Sequence, residues 1–464
     1  MIRSSGKPPR GPAARGPAAS VSARPAGSKP GARGPGGRPP GARGMARPWA
    51  APTELTDEPV LEPTHGLPPP QRRAFSTLRG RVETAGAPAE AAALAALFEV
   101  DPALERALTH GFHSYAGRLH PSIARGAIGR WSPPGGVVLD PFCGSGTVLV
   151  EGLLAGRRAT GIDASPLAVS IARVRTNVLS DGDRQTLVLR AREIAEETGE
   201  LARKRRRPEL PTWAAEEMER FHPHVALELF SLRELVMNTK EDAIGLALRL
   251  CLSSMLVKFM RSGPTAPRDG EQKRIARGFP SRFFADRAAE LAHGLAELAS
   301  RKTPGIPPAR VFLGDARAYP ELKASSVDLV LSSPPYAGVY DYAEYHAVRF
   351  LWLGLPMEDF RQRQLGDRNV GSGSAAMEWQ HGRRKWLLEM ARVLRPGAAV
   401  VLVVGDGVVG DQPEDAAIAV TRDAQGVGLT FVASASQDRP TRDNRLRAIF
   451  GTKQRREHIL LLRR

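Results

Sequence analysis

Two glycines in a short string mark a place where a ligand can approach the backbone closely. The string DPFCGSGT occupies 140–147 and contains Gly144 and Gly146. Glycine lacks the Cβ that keeps a ligand away from the main chain. The sequence predicts a buried strand over 136–142 and a helix over 147–155, whose first N–H groups favour a carboxylate. An ordinary βα turn is the alternative, but the full string at a strand–helix junction favours a cofactor site.

A carboxylate ends the next predicted strand, 158–162. Asp163 follows Asp140 by 23 residues, and there it can accept hydrogen bonds from both hydroxyls of a ribose. The alternative is that Asp163 or Ser165 caps the helix predicted to begin near Pro166. Beside the glycine string, the sequence favours ribose binding by Asp163 and leaves the capping role to Ser165.

A rigid polar turn follows the predicted strand 327–331. Ser333, Pro334, Pro335 and Tyr336 form the string SPPY. The two prolines lack N–H groups and stiffen the backbone, so the carbonyls at this strand end are free to accept from a substrate amine. Tyr336 offers a ring on which a base can stack. A proline-rich turn with a core tyrosine is the alternative explanation.

Further aromatic residues follow this turn. Tyr340, Tyr342 and Tyr345 are interleaved with His346 and Arg349. Such a mixture suits an unstacked base. Packing of the next helix is the alternative, and for Tyr345 it is the favoured one.

The elements around these strings predict an α/β fold. Strand, glycine turn, helix, strand and helix over 136–179 begin a doubly wound, Rossmann-like parallel sheet. Later strands are predicted at the following positions: 310–313, 327–331, 398–404, 429–433 and 458–462. The prediction is a mainly parallel sheet of about seven strands, in which the last three strands follow the order of a mixed sheet.

Composition divides the chain into four predicted segments. They are 1–70, a disordered basic tail rich in proline, glycine, alanine and arginine; 71–180, N-terminal helices, including a helical pattern over 88–110, and the cofactor-binding half; 181–308, a helical insertion with target recognition as its expected role; and 309–464, the catalytic half. Residues 1–70 have too few large apolar side chains to offset the entropy of ordering. Helices are predicted within the insertion at 225–238, 243–260 and 281–299.

Charge and cysteine content narrow the class of protein. The net charge is +17, and residues 1–50 hold ten lysines and arginines but no acidic residue. A basic chain suits a polyanionic partner such as DNA or RNA, while a solvated tail is the alternative. Only Cys143 and Cys251 are present, which favours a reducing, cytoplasmic location. The longest apolar run, 398–404, is far shorter than the roughly 20 residues of a membrane span.

The strings at 140–147 and 333–336 resemble those of the DNA amino-methyltransferases, which methylate N4 of cytosine or N6 of adenine. The resemblance covers about 112–179 and 310–403 and implies S-adenosyl-L-methionine as cofactor. It implies a set of cofactor-binding residues: Tyr115, Asp140, Phe142, Gly144, Gly146, Thr147, Asp163 and Asp315. Tyr115 belongs to an N-terminal element, 113–121, that would fold over the methionine part, and Asp315 would accept from the adenine amino group.

The resemblance also implies the chemistry. Ser333 and the Pro334 carbonyl would accept hydrogen bonds from the target amine, Pro335 would stiffen the turn, and Tyr336 would stack a base flipped out of DNA. No metal and no covalent intermediate are needed. Ser333 favours cytosine N4, since adenine enzymes usually have Asp or Asn there. A partner restriction endonuclease fits the same family.

Three alternatives remain at this stage. An RNA amino-methyltransferase acting on guanine N2 or an rRNA cytosine shares both strings. A protein glutamine methyltransferase typically has Asn at the position of Ser333. A non-catalytic nucleic-acid-binding protein could retain the fold without the activity.

Overall fold

A computed structural model describes residues 79–204, 206–261, 275–366, 373–441 and 443–464. The tail predicted to be disordered, 1–70, lies outside the described residues. The strands are β1 (Arg79–Gly86), β2 (Val137–Asp140), β3 (Arg158–Asp163), β4 (Arg310–Leu313), β5 (Val327–Ser332), β6 (Leu394–Gly405), β7 (Gly407–Val409), β8 (Gln412–Glu414), β9 (Thr430–Asp438) and β10 (Arg456–Arg463).

The helices lie between these strands. They are α1 (Pro88–Ala96), α2 (Pro121–Trp131), α3 (Thr147–Leu154), α4 (Pro166–Thr176), α5 (Asp181–Arg203), α6 (Ala214–Met218), α7 (Pro223–Met237), α8 (Ala243–Phe259), α9 (Phe279–Arg301), α10 (Tyr342–Leu353), α11 (Met357–Arg363), α12 (Ser374–Val393), α13 (Ala416–Gln425) and α14 (Asn444–Phe450). No helix in the described ranges is both long and apolar enough to cross a membrane.

The main sheet has eight strands in the order β1-β9-β10-β6-β5-β2-β3-β4. The run from β6 to β4 is parallel, whereas β1, β9 and β10 pair antiparallel. The predicted doubly wound, mainly parallel sheet is therefore confirmed. The extra strand is β1, which sequence analysis missed because this mostly exposed edge strand has no regular apolar alternation.

Both faces of the central strands are apolar. In β6, Val401 and Val403 pack with the core that α1 and α2 cover, while Val400, Leu402 and Val404 pack with α12 and α13 on the other face. Successive strand residues point to opposite faces. A continuous apolar run therefore predicts a strand covered on both sides.

The region between β3 and β4 is helical, as predicted. Its helices share one core with α4 and α10. The prediction missed α5, whose many charged residues hide a buried stripe of Leu187, Ala191, Ile194 and Thr198. Their spacing of three and four residues is the helical signal.

The continuous helical pattern predicted for 88–110 was wrong. α1 ends at Ala96, and a short 3₁₀ helix, Pro102–Glu105, follows. A proline disfavours the helical conformation in the residue before it. Asp101 instead caps the short helix by accepting a hydrogen bond from the Ala103 N–H at 2.9 Å.

Candidate active site

The glycine turn and the proline turn lie at the ends of adjacent parallel strands. β2 pairs with β5, with Val138 opposite Leu329. A direct side-chain contact joins the two ends, because the Ser332 hydroxyl donates to the Asp140 carboxylate at 2.6 Å. In a parallel sheet, ligands bind at the carboxyl ends of the strands. The two strings therefore share one edge of the sheet.

The two glycines of the turn have different surroundings. Gly144 has φ +50°, and a Cβ there would lie 3.4 Å from the Tyr115 ring. Gly146 has φ +81°, and its Cβ would lie 2.9 Å from the Ala172 Cβ on α4. Gly144 thus lies beside the predicted cofactor element, whereas Gly146 permits close packing of α3 on α4.

Asp163 fixes the shape of the glycine turn. Its carboxylate accepts hydrogen bonds from the Gly144 and Ser165 N–H groups, both at 2.8 Å. Burial raises the pKa of Asp163 to about 6, although the two backbone hydrogen bonds lower it. Ser165 caps α4 by accepting from the Ala168 N–H at 3.3 Å. The capping role therefore belongs to Ser165, as predicted.

A cleft at this edge has an open volume of about 810 Å³, including its mouth. Nine predicted site residues line the cleft: Tyr115, Asp140, Phe142, Gly144, Thr147, Asp163, Asp315, Ser333 and Pro335. Gly146, Pro334 and Tyr336 are not in its wall. Their predicted roles therefore depend on the backbone or on packing around the cleft.

The cleft carries carboxylates suited to a cationic ligand. Asp140 is buried. Burial raises its pKa to about 7, although hydrogen bonds from the Ser332 hydroxyl and the Phe142 N–H lower it. Burial would also raise the pKa of Asp315, but hydrogen bonds and charge from Arg317 outweigh burial and lower it. The Arg317 Nη2 lies 2.6 Å from Asp315. A ligand amine at Asp315 would share its carboxylate with Arg317.

The side chains present fit S-adenosylmethionine. The buried Thr147 hydroxyl has no hydrogen-bond partner within the described part of the chain. It lies at the first residue of α3, where N–H groups also favour a carboxylate. Asp140 and Asp163 can accept from an ammonium and a ribose, and Tyr115 and Phe142 add aromatic walls. Together these groups match the anionic, cationic and hydroxyl parts of the cofactor.

The N-terminal element is held over the glycine turn by buried residues of α10. The Tyr115 ring stacks on His346 with a centroid separation of 4.6 Å. Arg349 contacts the Nδ1 of His346 at 2.8 Å and donates to the Ser114 hydroxyl at 2.6 Å. His346 and Arg349 are fully buried. The interpretation that these two residues contact an unstacked base was therefore wrong, since they support Tyr115.

Tyr336 is held from behind by the C-terminal strands. Its hydroxyl donates to the Glu457 carboxylate, and the Arg439 guanidinium lies 5.6 Å from its ring centroid. Gly405 gives the ring room, since a Cβ there would lie 2.6 Å from the Tyr336 Cε2. Burial raises the pKa of Tyr336 well above its usual value. Sequence analysis missed Glu457, although a carboxylate inside the apolar strand β10 was a usable signal.

The chain is similar to known proteins over the region that contains part of this cleft. The family model described as DNA methylase matches residues 114–174, which include the Tyr115 element, the glycine turn and Asp163. The Type II methyltransferase M.MjaII of Methanocaldococcus jannaschii is 21% identical over 384 residues, which cover 64% of this chain and 72% of that protein. The Type II methyltransferase M.MvaI of Kocuria varians is 38% identical over 72 residues, which cover 15% of this chain and 16% of that protein.

The chain is also similar to solved structures. The rRNA methyltransferase aviRa of Streptomyces viridochromogenes has 11% identity and a TM-score of 0.31, covering 79% of this chain and 94% of that chain. The fold and cleft described above define an S-adenosylmethionine-dependent methyltransferase. More particularly, residues 114–174 of the chain are similar to the family described as DNA methylase, and two of its relatives are named as Type II methyltransferases.

Proposed function

We propose that this enzyme methylates the exocyclic amino group of a DNA base, with cytosine N4 favoured over adenine N6. The observation that carries the proposal is the shared cleft. Ser333 and Pro335 from the proline turn line the same cavity as Asp140 and Asp163 from the cofactor side. The match of residues 114–174 to a family described as DNA methylase supports DNA as the substrate, and two relatives are named as Type II methyltransferases.

The cofactor would be held by the residues of the glycine side. Asp163 would accept hydrogen bonds from the ribose hydroxyls, and Thr147 with the start of α3 would bind the methionine carboxylate. Asp140 would receive the ammonium group. Tyr115 closes the cleft above Gly144. When bound, S-adenosylmethionine supplies an electrophilic methyl group on a positively charged sulfur.

The proline turn would hold the target amine. An exocyclic amine is a weak nucleophile because its lone pair is delocalised into the base. Hydrogen bonds from its two protons to the Ser333 hydroxyl and the Pro334 carbonyl favour a pyramidal nitrogen and direct its lone pair into the cleft. Most of the rate gain then comes from orientation. A duplex base must first leave the stack, which costs a few kcal/mol.

The preference for cytosine N4 depends on Ser333. Adenine enzymes of this family usually carry Asp or Asn at the matching position, whereas Ser is frequent in cytosine-N4 enzymes. Ser333 lines the cleft and is half-buried, so its hydroxyl can accept from an amine there. We therefore expect 4-methylcytosine to be the product.

Nucleoside mass spectrometry tests the proposal directly. DNA and RNA from a host that expresses the protein are digested, and methylated nucleosides are quantified. We expect a new 4-methylcytosine peak in DNA that is absent with Ser333→Ala and Tyr336→Ala. Ser326→Ala is the matched control, because Ser326 precedes the opposite end of β5. A 6-methyladenine peak would reverse the base preference, and modification of RNA alone would overturn the DNA substrate.

A partner restriction endonuclease remains a further prediction. Such an enzyme would cut unmodified DNA at the sequence that this protein methylates. Genomic DNA from the expressing host should then resist the cognate endonuclease. Target recognition by 181–308 and a cytoplasmic location also remain predictions.

A further inference from the structure

A strongly basic segment connects β9 to β10. We define the C-terminal basic segment as residues 439–456, which include α14. It contains seven lysines and arginines and one acidic residue, Asp443. A local excess of this size, in a chain with a net charge of +17, indicates a surface for a polyanion.

Three of these cations stabilise the fold through contacts with neighbouring residues. Arg439 pairs with Glu457 behind Tyr336. Arg455 is buried and donates to the Asp406 carbonyl at 2.7 and 3.0 Å. Arg456 contacts Glu83 on the edge strand at 2.8 Å. These side chains fasten both ends of the segment to the sheet.

Three other cations face solvent. Arg445 and Arg447 project from α14, and Lys453 lies in the loop after it, all three exposed. Arg445 is 4.0 Å from Asp411, a pair whose side chains are 41% and 76% exposed. Exposed pairs of this kind contribute little to stability. Arg447 donates to the Thr441 carbonyl at 3.1 Å within the segment. All three side chains are exposed, so an anion in solution can reach them.

The exposed cations are attached to the substrate side of the cleft. On the inner face of α14, Leu446 and Phe450 are buried in one cluster with Tyr336 and Val339. The Arg445 guanidinium also donates to the Gly338 carbonyl at 3.3 Å. The segment is therefore fixed on the loop that follows the proline turn. A strand that delivers a base to that turn must pass close to α14.

We infer that Arg445, Arg447 and Lys453 bind phosphates of the DNA strand that carries the target base. The inference rests on the proposed function and adds the surface that orients the strand. The partner is a nucleic-acid backbone because regularly spaced phosphates match several separate cations better than a single small anion does. Leu446 and Phe450 pack α14 against Tyr336, and the buried Glu457 holds the Tyr336 hydroxyl, so strand and base are positioned together.

The test is a triple variant, Arg445→Gln/Arg447→Gln/Lys453→Gln. Its matched control is Arg158→Gln/Arg310→Gln/Lys323→Gln, which neutralises three exposed cations near the amino ends of β3, β4 and β5, at the opposite edge of the sheet. Fluorescence anisotropy measures the affinity for a duplex at several salt concentrations. Calorimetry measures cofactor affinity, and methyl transfer is followed at saturating DNA.

We expect the triple variant to bind DNA at least about tenfold more weakly at low salt. Each lost phosphate contact should reduce the slope of log K against log salt by about 0.9, so the slope should fall by about 2–3 units. Cofactor affinity of the triple variant should stay within about twofold of the wild type, which also shows that the variant is folded. Turnover at saturating DNA should stay within about twofold of the wild type in the control. The control should retain the wild-type slope.

The outcomes separate this inference from the proposed function. If the wild type methylates DNA and the triple variant keeps the wild-type affinity and slope, the assigned surface is wrong while the proposed function stands. An equal loss in the control would show a general charge effect and also overturn the surface. If the wild type methylates RNA alone, both the proposed function and the assignment of a DNA-binding surface are contradicted.

Discussion

The two sides of the cleft are held in different ways. On the cofactor side, Asp163 bonds to the N–H of Gly144, only 19 residues away in the chain. On the substrate side, Tyr336 bonds to Glu457, which is 121 residues away. The glycine turn and Asp163 on the cofactor side therefore form a local structure within one βαβ unit. The substrate side depends on the antiparallel strands at the end of the chain, so the two sides should fail separately.

The largest effect should come from Asp163→Ala. The substitution removes the ribose acceptor and leaves the Gly144 and Ser165 N–H groups without their carboxylate, a loss of several hydrogen bonds to a charged group. We expect cofactor affinity to fall by about 100-fold in calorimetry while the protein still melts cooperatively. Loss of the folded state would show that Asp163 acts chiefly in the fold and would undercut its role as a ligand.

Glu457→Gln should produce a smaller effect on the other side. Tyr336 loses a charged acceptor and Arg439 loses its ion pair, so the proline turn becomes less well positioned. We expect turnover to drop by about 10- to 30-fold, consistent with misplacement of reacting groups, with cofactor affinity within about twofold. Glu83→Gln, an exposed partner of Arg456, is the control. A matching fall in cofactor affinity would contradict the separation of the two sides.

The pH dependence of cofactor binding should come from the cofactor side alone. Burial raises the pKa of Asp140 to about 7 and that of Asp163 to about 6. Below these values the free protein carries neutral acids, which must lose protons to receive a cationic ligand. Affinity should therefore rise with pH between 5.5 and 7.5, by at most about tenfold per unit for one group. Asp140→Asn should remove the part of the rise near pH 7, and an unchanged profile in calorimetry would contradict its role.

The smallest effect should come from Ser165→Ala. This change removes a helix N-cap, which typically costs about 1 kcal/mol. We expect a lower melting temperature with cofactor affinity within about threefold. Because Ser165 neighbours Asp163 on the same turn, it separates loss of the cap from loss of the ligand. A 100-fold loss of cofactor affinity here would assign the Asp163 effect to the turn as a whole.

Sequence analysis identified the features whose residues lie close together in the chain. The glycine string, Asp163 and the Ser165 cap lie within 26 residues of one another and share one βαβ unit. Their residue types alone specify backbone geometry and a carboxylate at a strand end. The central strands were found for the same reason, since long apolar runs identify them.

The features that sequence analysis missed depend on contacts between residues that lie far apart in the chain. Nothing near Tyr336 shows that Glu457 and Arg439 will hold its ring, because β10 reaches it only through the fold of the sheet. His346 and Arg349 follow the proline turn in sequence, which suggested base contacts, but α10 turns them inward toward Tyr115. The edge strand β1 carries too few apolar residues to be recognised from sequence.

The most direct test of the shared cleft is methyl transfer from labelled S-adenosylmethionine to duplex DNA with the cofactor titrated. Three proteins are compared: wild type, Asp163→Ala and Tyr336→Ala. We predict that Asp163→Ala needs far more cofactor but regains most of the wild-type rate at saturation. Tyr336→Ala should keep the wild-type cofactor requirement and remain slow at every concentration. If both variants shifted the cofactor requirement alike, or if neither changed the rate, the division of the cleft into a cofactor side and a substrate side would be contradicted.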